Sequence, residues 1–351
     1  MTVQQPTIER SLFGTLPDGQ KIHQFVLKNA QGTEATIIEF GAILQDLKTA
    51  DKNGQFGSIV LGYKTLEEYQ TNPFYLGATI GRYGNRIANG QCYIDGVKYT
   101  FDVNNGENHL HGGVSGFDKK VWTGETFNNE NCAGVILKTI SPDGDQGYPG
   151  RLELTCEYHL TNDNQLIIKY SATTDKTTII NLTNHSYFNL AGRGDVLNHT
   201  LNIPTYKITP LNTQQIPTGE VKNIKNTPFD FTQSKKIGQD IDADDEQIKI
   251  GSGYDHNYVL EGPVGELKLA AHASEPSSGR EIKIYTTEPG FQFYTANWIN
   301  NINSHNGEVF NERGAFCIEP QHVPDAPNQP QFDSTELKPG ERYVSEMRYQ
   351  F

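Results

Sequence analysis

The chain from Leu152 to Tyr170 constrains the fold most, because it alternates apolar and polar residues in two successive runs. Leu152 to Leu160 alternates with a period of two, which is the spacing of a half-buried strand. Residues 161–164, Thr-Asn-Asp-Asn, form a turn sequence, and Gln165 to Tyr170 begins the return run. The pattern predicts two antiparallel strands that each bury one face.

Other segments carry the same strand signal. Asp95-Gly96 separates two short apolar runs and predicts a tight hairpin, because this pair supplies the positive φ angles of a type I′ turn. We predict further strands at Ala35–Phe40, Ile59–Leu61, Val135–Thr139, Thr178–Leu182, Glu266–Ala270, Glu281–Thr286, Phe291–Ala296, Ala315–Ile318 and Arg342–Arg348. The 34 glycines and 17 prolines suit many turns between short strands. We therefore predict an all-β fold, a large antiparallel β-sandwich in a single domain over residues 1–351.

Helical signals are short. Thr65 to Tyr69 predicts one helical turn, and the acidic stretch from Gln239 to Gln247 predicts a short surface helix.

Charge and cysteine usage exclude several classes of partner. Lys and Arg number 29 against 42 Asp and Glu, a net charge of −13, and no basic run occurs, which excludes nucleic acid and anionic membranes as expected partners. The segment from Met1 to Gly14 lacks the pattern of a signal peptide, and we expect a cytoplasmic protein. The four cysteines form no Cys-x-x-Cys motif, and we expect buried free thiols.

Four polar islands interrupt the strand pattern. Each combines a titratable His, Asp or Glu with Asn, Gly or aromatic residues. They cover residues 108–113, 181–192, 253–258 and 317–322. Fixed ionisable groups between aromatic walls are typical of a site for a polyhydroxylated ligand.

Individual residues in these islands have both a chemical and a structural interpretation. His111 precedes two glycines, which allow close approach of a ligand or simply a strained turn, and with His109 it could chelate a metal if a third ligand were near. His185 lies among asparagines that could either fix a catalytic imidazole or satisfy a buried one. Glu319 ends an apolar run, where burial would raise its pKa towards that of a general base. Asp255 lies between two aromatic residues and is a weaker candidate for a buried carboxylate with a raised pKa.

Several common catalytic motifs are missing from the sequence. It contains no Gly-x-Ser-x-Gly, no Walker A loop, no Gly-x-Gly-x-x-Gly and no His-Glu-x-x-His. Serine-hydrolase, nucleotide-binding and zinc-protease readings are therefore disfavoured.

The order and spacing of the blocks resemble the aldose 1-epimerases, also called galactose mutarotases. The matching blocks are Gly77–Ile87, Leu110–Gly113, Asn181–Gly192, Gly253–Tyr258, Pro289–Tyr294 and Glu319–Gln321, with a further stretch at Pro324–Pro330. The resemblance implies one broad antiparallel β-supersandwich with the site in a cleft of its large sheet. This chain has Tyr83-Gly84 where many relatives have Val-Ala, and Pro320 is a variant beside the expected base.

The resemblance also implies residue roles. Glu319 would be the general base at the anomeric hydroxyl, and His185 the general acid at the ring oxygen with assistance from His111. The residues expected to bind sugar hydroxyls are Asn85, Arg86, Asp255, Gln292 and Tyr187. The substrate would be a free hexose such as D-galactose or D-glucose. The expected reaction needs no cofactor and no metal, since neither electrons nor groups are transferred, and no oligomeric state is predicted.

Three other readings stay open at this point. A glycoside hydrolase could pair Asp255 with Glu319, but it would leave the histidines unused. A sugar-binding module would need neither Glu319 nor His185. A sugar-phosphate epimerase would need a cluster of cations, for which the blocks offer Arg82 and Arg86. Aromatic candidates for a sugar platform are Phe188, Trp298 and Trp122, although each could equally be core.

Overall fold

The computed structural model describes residues 5–351, and residues 1–4 of the N-terminal segment discussed above lie outside this range. Every pairing between strands of the described range is antiparallel, so the predicted all-β class is confirmed. The strands of the first half are β1 (Thr7–Thr15), β2 (Lys21–Lys28), β3 (Glu34–Ile38), β4 (Ile43–Ala50), β5 (Phe56–Ser58), β6 (Thr79–Ile80), β7 (Arg86–Ile87), β8 (Gln91–Ile94), β9 (Val97–Thr100), β10 (His109–Leu110), β11 (Thr123–Asn129), β12 (Cys132–Ser141), β13 (Leu152–Thr161), β14 (Gln165–Thr174) and β15 (Thr178–Ile179).

The second half continues in the same manner. Its strands are β16 (Thr183–Asn184), β17 (Thr200–Asn202), β18 (Lys207–Thr209), β19 (Lys222–Asn223), β20 (Lys235–Lys236), β21 (Asp255–Val259), β22 (Lys268–Ser274), β23 (Glu281–Thr286), β24 (Gly290–Tyr294), β25 (Ile302–Asn303), β26 (Val309–Phe310), β27 (Cys317–Gln321), β28 (Glu336–Leu337) and β29 (Tyr343–Gln350). The helices are α1 (Leu66–Gln70) and α2 (Glu246–Gly251), with single 3₁₀ turns at Ala88–Gly90, Phe117–Lys119, Asp145–Gly147, Ile237–Gln239 and Ala326–Asn328.

Three sheets organise the chain. The N-terminal sheet has the order β1-β2-β3-β4-β5, and the broad sheet has nine strands in the order β11-β12-β13-β14-β29-β23-β22-β17-β20. A third sheet, β19-β18-β21-β24-β27, carries two of the four polar islands. One cluster of buried apolar side chains draws on all three sheets, from Phe25 to Tyr349. This shared core supports our proposal that the chain forms a single domain.

The alternating segments form the strands that their pattern predicts. In β13 and β14 every second side chain is buried, and the two strands pair in register from Leu152↔Thr174 to Leu160↔Leu166. The Asp95-Gly96 turn joins β8 to β9, and both of its residues have positive φ, at 48° and 75°. Local sequence pattern was sufficient at these positions because strand burial has a strict period of two.

Three predicted elements are wrong or shortened. Residues 59–61 form no strand, because their backbone groups bond separately to Leu47 and to the segment around Tyr187. The strand predicted from Thr178 ends at Ile179, after which Ile180 and Asn181 bond to two other segments.

The predicted helix at 239–247 is also displaced. The structure has a 3₁₀ turn ending at Gln239, and α2 begins only at Glu246. The Asp245 side chain accepts hydrogen bonds from the backbone N–H groups of Gln247 and Ile248, so it caps the helix instead of continuing it. The other aspartates of this stretch precede the cap, where their side chains compete with helical hydrogen bonding.

All four cysteines, in contrast, are free and buried as predicted. Among the described residues, no helix is long and apolar enough to span a membrane.

The buried Arg82 side chain joins several loops of the fold. Its guanidinium donates to the carbonyl oxygens of Ser141, Pro142, Pro149 and Gly150 and to the hydroxyls of Ser141 and Thr178. Burial lowers its pKa to about 10, which still leaves it charged at neutral pH. Arg82 is therefore committed to structure and is not free for a phosphate group.

We expect Arg82→Met to lower the free energy of unfolding by about 3 to 5 kcal/mol, because it leaves several buried carbonyl groups without a donor. Urea denaturation checks this value. The matched control is Arg151→Met, at a half-exposed arginine beside Glu153, which we expect to cost less than about 1 kcal/mol. Equal losses in the two variants would contradict the structural role of Arg82.

Candidate active site

Three neighbouring strands place the acidic groups. In β21, β24 and β27 alternate residues point to opposite faces, and Gln292 lies directly opposite Glu319 in the ladder. Asp255 starts β21, and its Oδ1 accepts a hydrogen bond from Gln292 Nε2 at 2.7 Å. Intervening residues such as Ile318 belong to the apolar core. The period of two therefore produces one apolar face and one polar face from the same strands.

His185 follows β16 in the polar island of residues 181–192. Its backbone N–H donates to Ala78 O at 2.9 Å, and its carbonyl accepts from Gly77 N–H at 2.9 Å. The adjacent Asn184 donates to Tyr158 Oη at 3.1 Å within the buried interior and accepts from Ser186 Oγ. These contacts fix the backbone on both sides of the imidazole.

His111 comes from the loop after β10. Its backbone N–H donates to Asn85 O at 3.0 Å, and the N–H of Asn85 donates back to His111 Nδ1 at 3.1 Å. A neutral imidazole that accepts at Nδ1 carries its proton on Nε2, so His111 Nε2 is a donor. His109, by contrast, bonds to Asp102 O and Tyr148 Oη and is structural.

These residues line one cavity of about 320 Å³. All eight residues singled out from the sequence lie in its wall, namely Asn85, Arg86, His111, His185, Tyr187, Asp255, Gln292 and Glu319. The other wall residues are Pro73, Phe74, Tyr75, Asn105, Leu110, Gln215, Tyr294 and Trp298. The structure thus brings the predicted residues together, while their individual roles remain proposals.

The centre of the site is a contact between a carboxyl group and an imidazole. Glu319 Oε2 lies 3.6 Å from His185 Nε2, and both side chains are almost fully buried. Within residues 5–351, Glu319 Oε2 accepts no hydrogen bond. The facing atoms of His111, His185 and Glu319 lie within 4.8 Å of one another. All three can therefore reach one small ligand.

Burial shifts the pKa of each ionisable group in the direction of its neutral form. The pKa of Glu319 is raised well above 4.5, mainly by burial and further by Asp255, while Arg86 opposes the shift. Burial lowers the pKa of His185 to about 3, and it also lowers the pKa of His111 well below 6.5. These shifts invert the ordinary order of proton affinity, so the carboxyl group of Glu319 holds a proton more tightly than the imidazole of His185.

Aromatic rings surround His185. The ring of Tyr187 is stacked on it with 4.9 Å between centroids, and Tyr75 is nearly parallel at 6.1 Å. Aromatic faces attract an adjacent cation, so they stabilise the imidazolium when it forms. Of the platform candidates, Trp298 is 46% exposed at the cavity wall, whereas Phe188 and Trp122 are buried in the core.

His111, His185 and Glu319 are also close enough to hold a metal ion. A metal needs a lone pair on the ring nitrogen that faces it. The Asn85 N–H already occupies His111 Nδ1 and leaves a proton on Nε2, so His111 is a poor ligand in this arrangement. Only two ligands remain, and the set fits proton transfer better than metal binding.

Comparison with known proteins decides the family. The family model described as aldose 1-epimerase matches residues 23–350. The chain is 39% identical over 341 residues to a galactose mutarotase of Sus scrofa, with 96% of each protein covered. It is also 39% identical over 338 residues to an aldose 1-epimerase of Escherichia coli, covering 95% of this chain and 96% of the relative. The chain belongs to the aldose 1-epimerase family.

Solved structures of aldose 1-epimerase relatives share the fold. A galactose 1-epimerase from Lactobacillus acidophilus superposes with a TM-score of 0.87 at 28% identity over 98% of both chains. A GalM/aldose epimerase homologue from C. elegans superposes with a TM-score of 0.83 at 31% identity, covering 91% of this chain and 95% of that one. The expected β-sandwich of this family is therefore confirmed.

Sequence reasoning missed part of the cavity wall. Tyr75 stands just before a recognised block, and Tyr294 ends another, so their positions offered a weak signal. Asn105 and Gln215 lie in loops with no motif, and only the folded chain brings them to Arg86. A long-range contact of this kind leaves no local pattern in a single sequence.

We expect Gly112→Ala to disturb the site through His111. Gly112 has a φ of 85°, and a Cβ atom there would lie 1.8 Å from Gly81 O. We predict a loss of about 2 to 5 kcal/mol in stability, and a fall in kcat as His111 moves.

Gly106→Ala is the matched control, since its φ of 59° is also positive but no atom of residues 5–351 lies within 4 Å of the added Cβ. We expect it to cost about 1 kcal/mol and to leave kcat unchanged. Thermal unfolding and mutarotation rates of both variants check the prediction. A Gly112→Ala protein as stable and active as Gly106→Ala would contradict it.

Proposed function

We propose that this protein interconverts the α and β anomers of free aldoses by opening and reclosing the sugar ring. The observation that carries the proposal is the buried contact between Glu319 Oε2 and His185 Nε2 at 3.6 Å inside a polar cavity. A base and an acid so close can act on the two adjacent oxygens of a hemiacetal, which are joined through one carbon. The family and its named mutarotase relatives support the same reaction.

In the proposed mechanism, Glu319 removes the proton from the anomeric hydroxyl while His185 protonates the ring oxygen. The bond between C1 and the ring oxygen breaks, and an open-chain aldehyde forms. Rotation about the C1–C2 bond presents the other face of the carbonyl. Reclosure returns a proton to O1 from Glu319 and takes one from the ring hydroxyl onto His185, so atoms and charge balance over the cycle.

The reversal of roles explains why the pair needs matched proton affinities. When the pair carries one proton, that proton lies either on His185, which gives a carboxylate and an imidazolium, or on Glu319, which gives a carboxylic acid and a neutral imidazole. Burial raises the pKa of Glu319 and lowers that of His185, which favours the neutral arrangement in the empty cavity. The stacked ring of Tyr187 favours the imidazolium, so the two arrangements approach each other in free energy.

His111 has a supporting role in this proposal. Its Nε2–H, fixed by the hydrogen bond at Nδ1, donates to the ring oxygen or to a neighbouring hydroxyl of the sugar. We assign hydroxyl binding to Asn85, Arg86, Tyr187, Asp255 and Gln292. Tyr294 and Trp298 supply aromatic surface for the apolar face of the sugar.

The other enzyme classes have weaker support. A sugar-phosphate substrate would need several cations, but Arg82 is buried elsewhere and Arg86 is the one cationic side chain in the described cavity wall. A hydrolase would need Asp255 as a free second carboxylate, whereas Gln292 holds it. We therefore favour a neutral sugar, with D-galactose and D-glucose as the first candidates. We also propose a cytoplasmic location, because four buried free thiols suit a reducing compartment.

We expect wild-type protein to accelerate the mutarotation of freshly dissolved α-D-galactose, and Glu319→Gln to lower kcat by on the order of 10² to 10⁴, the typical contribution of one positioned acid or base. Polarimetry at low buffer concentration measures both rates. The matched control is Glu125→Gln, at an exposed glutamate on β11, which we expect to retain full activity. A protein inactive on galactose and glucose would overturn the proposed function, and an active Glu319→Gln would overturn the choice of base.

A further inference from the structure

Arg86 holds an unusual set of partners for a buried arginine. Its Nε donates to Asn105 Oδ1 at 3.0 Å, and its Nη2 donates to Gln215 Oε1 at 2.5 Å. Asp255 and Glu319 face the same cavity, yet within residues 5–351 no carboxylate oxygen pairs with Arg86 within 4.0 Å. Neutral amides, and not the nearby carboxylates, therefore fix the position of the guanidinium.

Gln215 is itself firmly held. It has a φ of 61°, and its backbone N–H donates to Asn212 O at 2.9 Å within a tight loop. Its Nε2 donates to Ile250 O at 3.4 Å at the end of α2. This leaves Oε1 directed at Arg86, so the side chain presents one acceptor in a fixed place.

The loop around Gln215 is fastened to the strand that carries Asp255. The amide of Gln247 bonds to both backbone groups of Leu211, donating to its carbonyl and accepting from its N–H. The same Gln247 Oε1 lies 3.0 Å from Nε2 of His256, the residue after Asp255. The loop that carries Gln215 is therefore anchored through Gln247 to β21, next to Asp255.

An arginine that paired directly with Glu319 would change the chemistry of the site. It would stabilise the carboxylate and lower its proton affinity. It would also occupy the N–H groups that a sugar hydroxyl needs. Whenever Glu319 is ionised, the opposite charges attract each other, and the hydrogen bonds from Arg86 to Asn105 and Gln215 oppose a direct pairing.

We propose that Gln215 is a positioning residue, which acts through Arg86 to hold its charge at a fixed distance from Glu319 and keep its remaining N–H groups free for the sugar. This inference rests on the proposed function and adds a residue from a loop that carries no motif. Asn105 provides the second anchor, so loss of Gln215 releases one side of the guanidinium and not both.

The test is the pH dependence of kcat/KM for D-galactose. In the active form Glu319 and His185 share one proton, and the alkaline limb of the profile reports the loss of that proton. Gln215→Met keeps the length of the side chain and removes the acceptor. We expect kcat/KM to fall between about tenfold and a hundredfold, because the guanidinium is misplaced. We also expect the alkaline limb to move down by about one pH unit, as arginine approaches the carboxylate.

Gln215→Glu is a second variant, which is not expected to move the alkaline limb to lower pH. It keeps an acceptor for Arg86 and adds a negative charge, so we expect the alkaline limb to stay or to move to higher pH. Gln214→Met is the matched control, because Gln214 is exposed and bonds to Glu107 instead of Arg86. We expect it to match the wild type in rate and in pH profile.

Other groups that face Glu319 stay the same in all these variants, so they do not account for a shift between them. Apart from Arg86, whose displacement is the proposed cause of the shift, they are His111, His185, Tyr187, Asp255, Tyr294, Cys317 and Tyr349. Unchanged alkaline limbs in both Gln215 variants would overturn the inference, even if their rates or thermal stability fell. An inactive wild type would instead overturn the proposed function, so the two failures are distinguishable.

Discussion

The burial of a carboxyl group beside an imidazole is the interaction on which the site depends. Glu319 and His185 lie 3.6 Å apart with almost no exposure to solvent. In water the carboxyl group would give up its proton at neutral pH, but burial raises the pKa of Glu319 and lowers that of His185. In the empty cavity these shifts favour the single proton of the pair on the carboxyl group, and we propose that the pair transfers it to the imidazole when substrate is bound. Anomer interconversion needs this property, because the acid and the base exchange roles when the ring closes.

The fold can place these groups in its interior because the strands β21, β24 and β27 have two different faces. One face supplies Ile318 and its neighbours to the apolar core shared by the three sheets. The other face supplies Glu319 and Gln292 to the cavity. Four distant parts of the chain then add the histidines, Arg86 and the amides that hold it. Amide side chains thus satisfy Arg86 and Asp255 in the buried site, whereas within residues 5–351 Glu319 Oε2 accepts no hydrogen bond.

Much of this arrangement could be predicted from sequence, and the reasons differ between the parts. The hairpin of β13 and β14 follows from a strict alternation that only a half-buried strand produces. The eight site residues were recognised because they stand in blocks with a characteristic order, which is a resemblance and not a deduction from local pattern. Composition did not predict where helix α2 begins, since the side chain of Asp245 caps the helix and fixes its first residue. Gln215 shows the limit of motifs, because its contact with Arg86 joins residues far apart in the chain.

The most direct test of the shared proton is the pH dependence of kcat/KM for D-galactose, after subtraction of the uncatalysed rate. At pH values below the acid limb the pair carries two protons and has no group that can act as a base. That limb lies far below the ordinary histidine pKa of 6.5, because burial lowers the pKa of His185 to about 3. Above the alkaline limb the pair has lost its last proton, and the raised pKa of Glu319 moves that limb well above 4.5. The account predicts that activity does not rise through an ionisation near pH 6.5, because the acid limb lies far lower. An activity that rises through an ionisation near pH 6.5, as for an ordinary histidine that must first lose its proton, would contradict it.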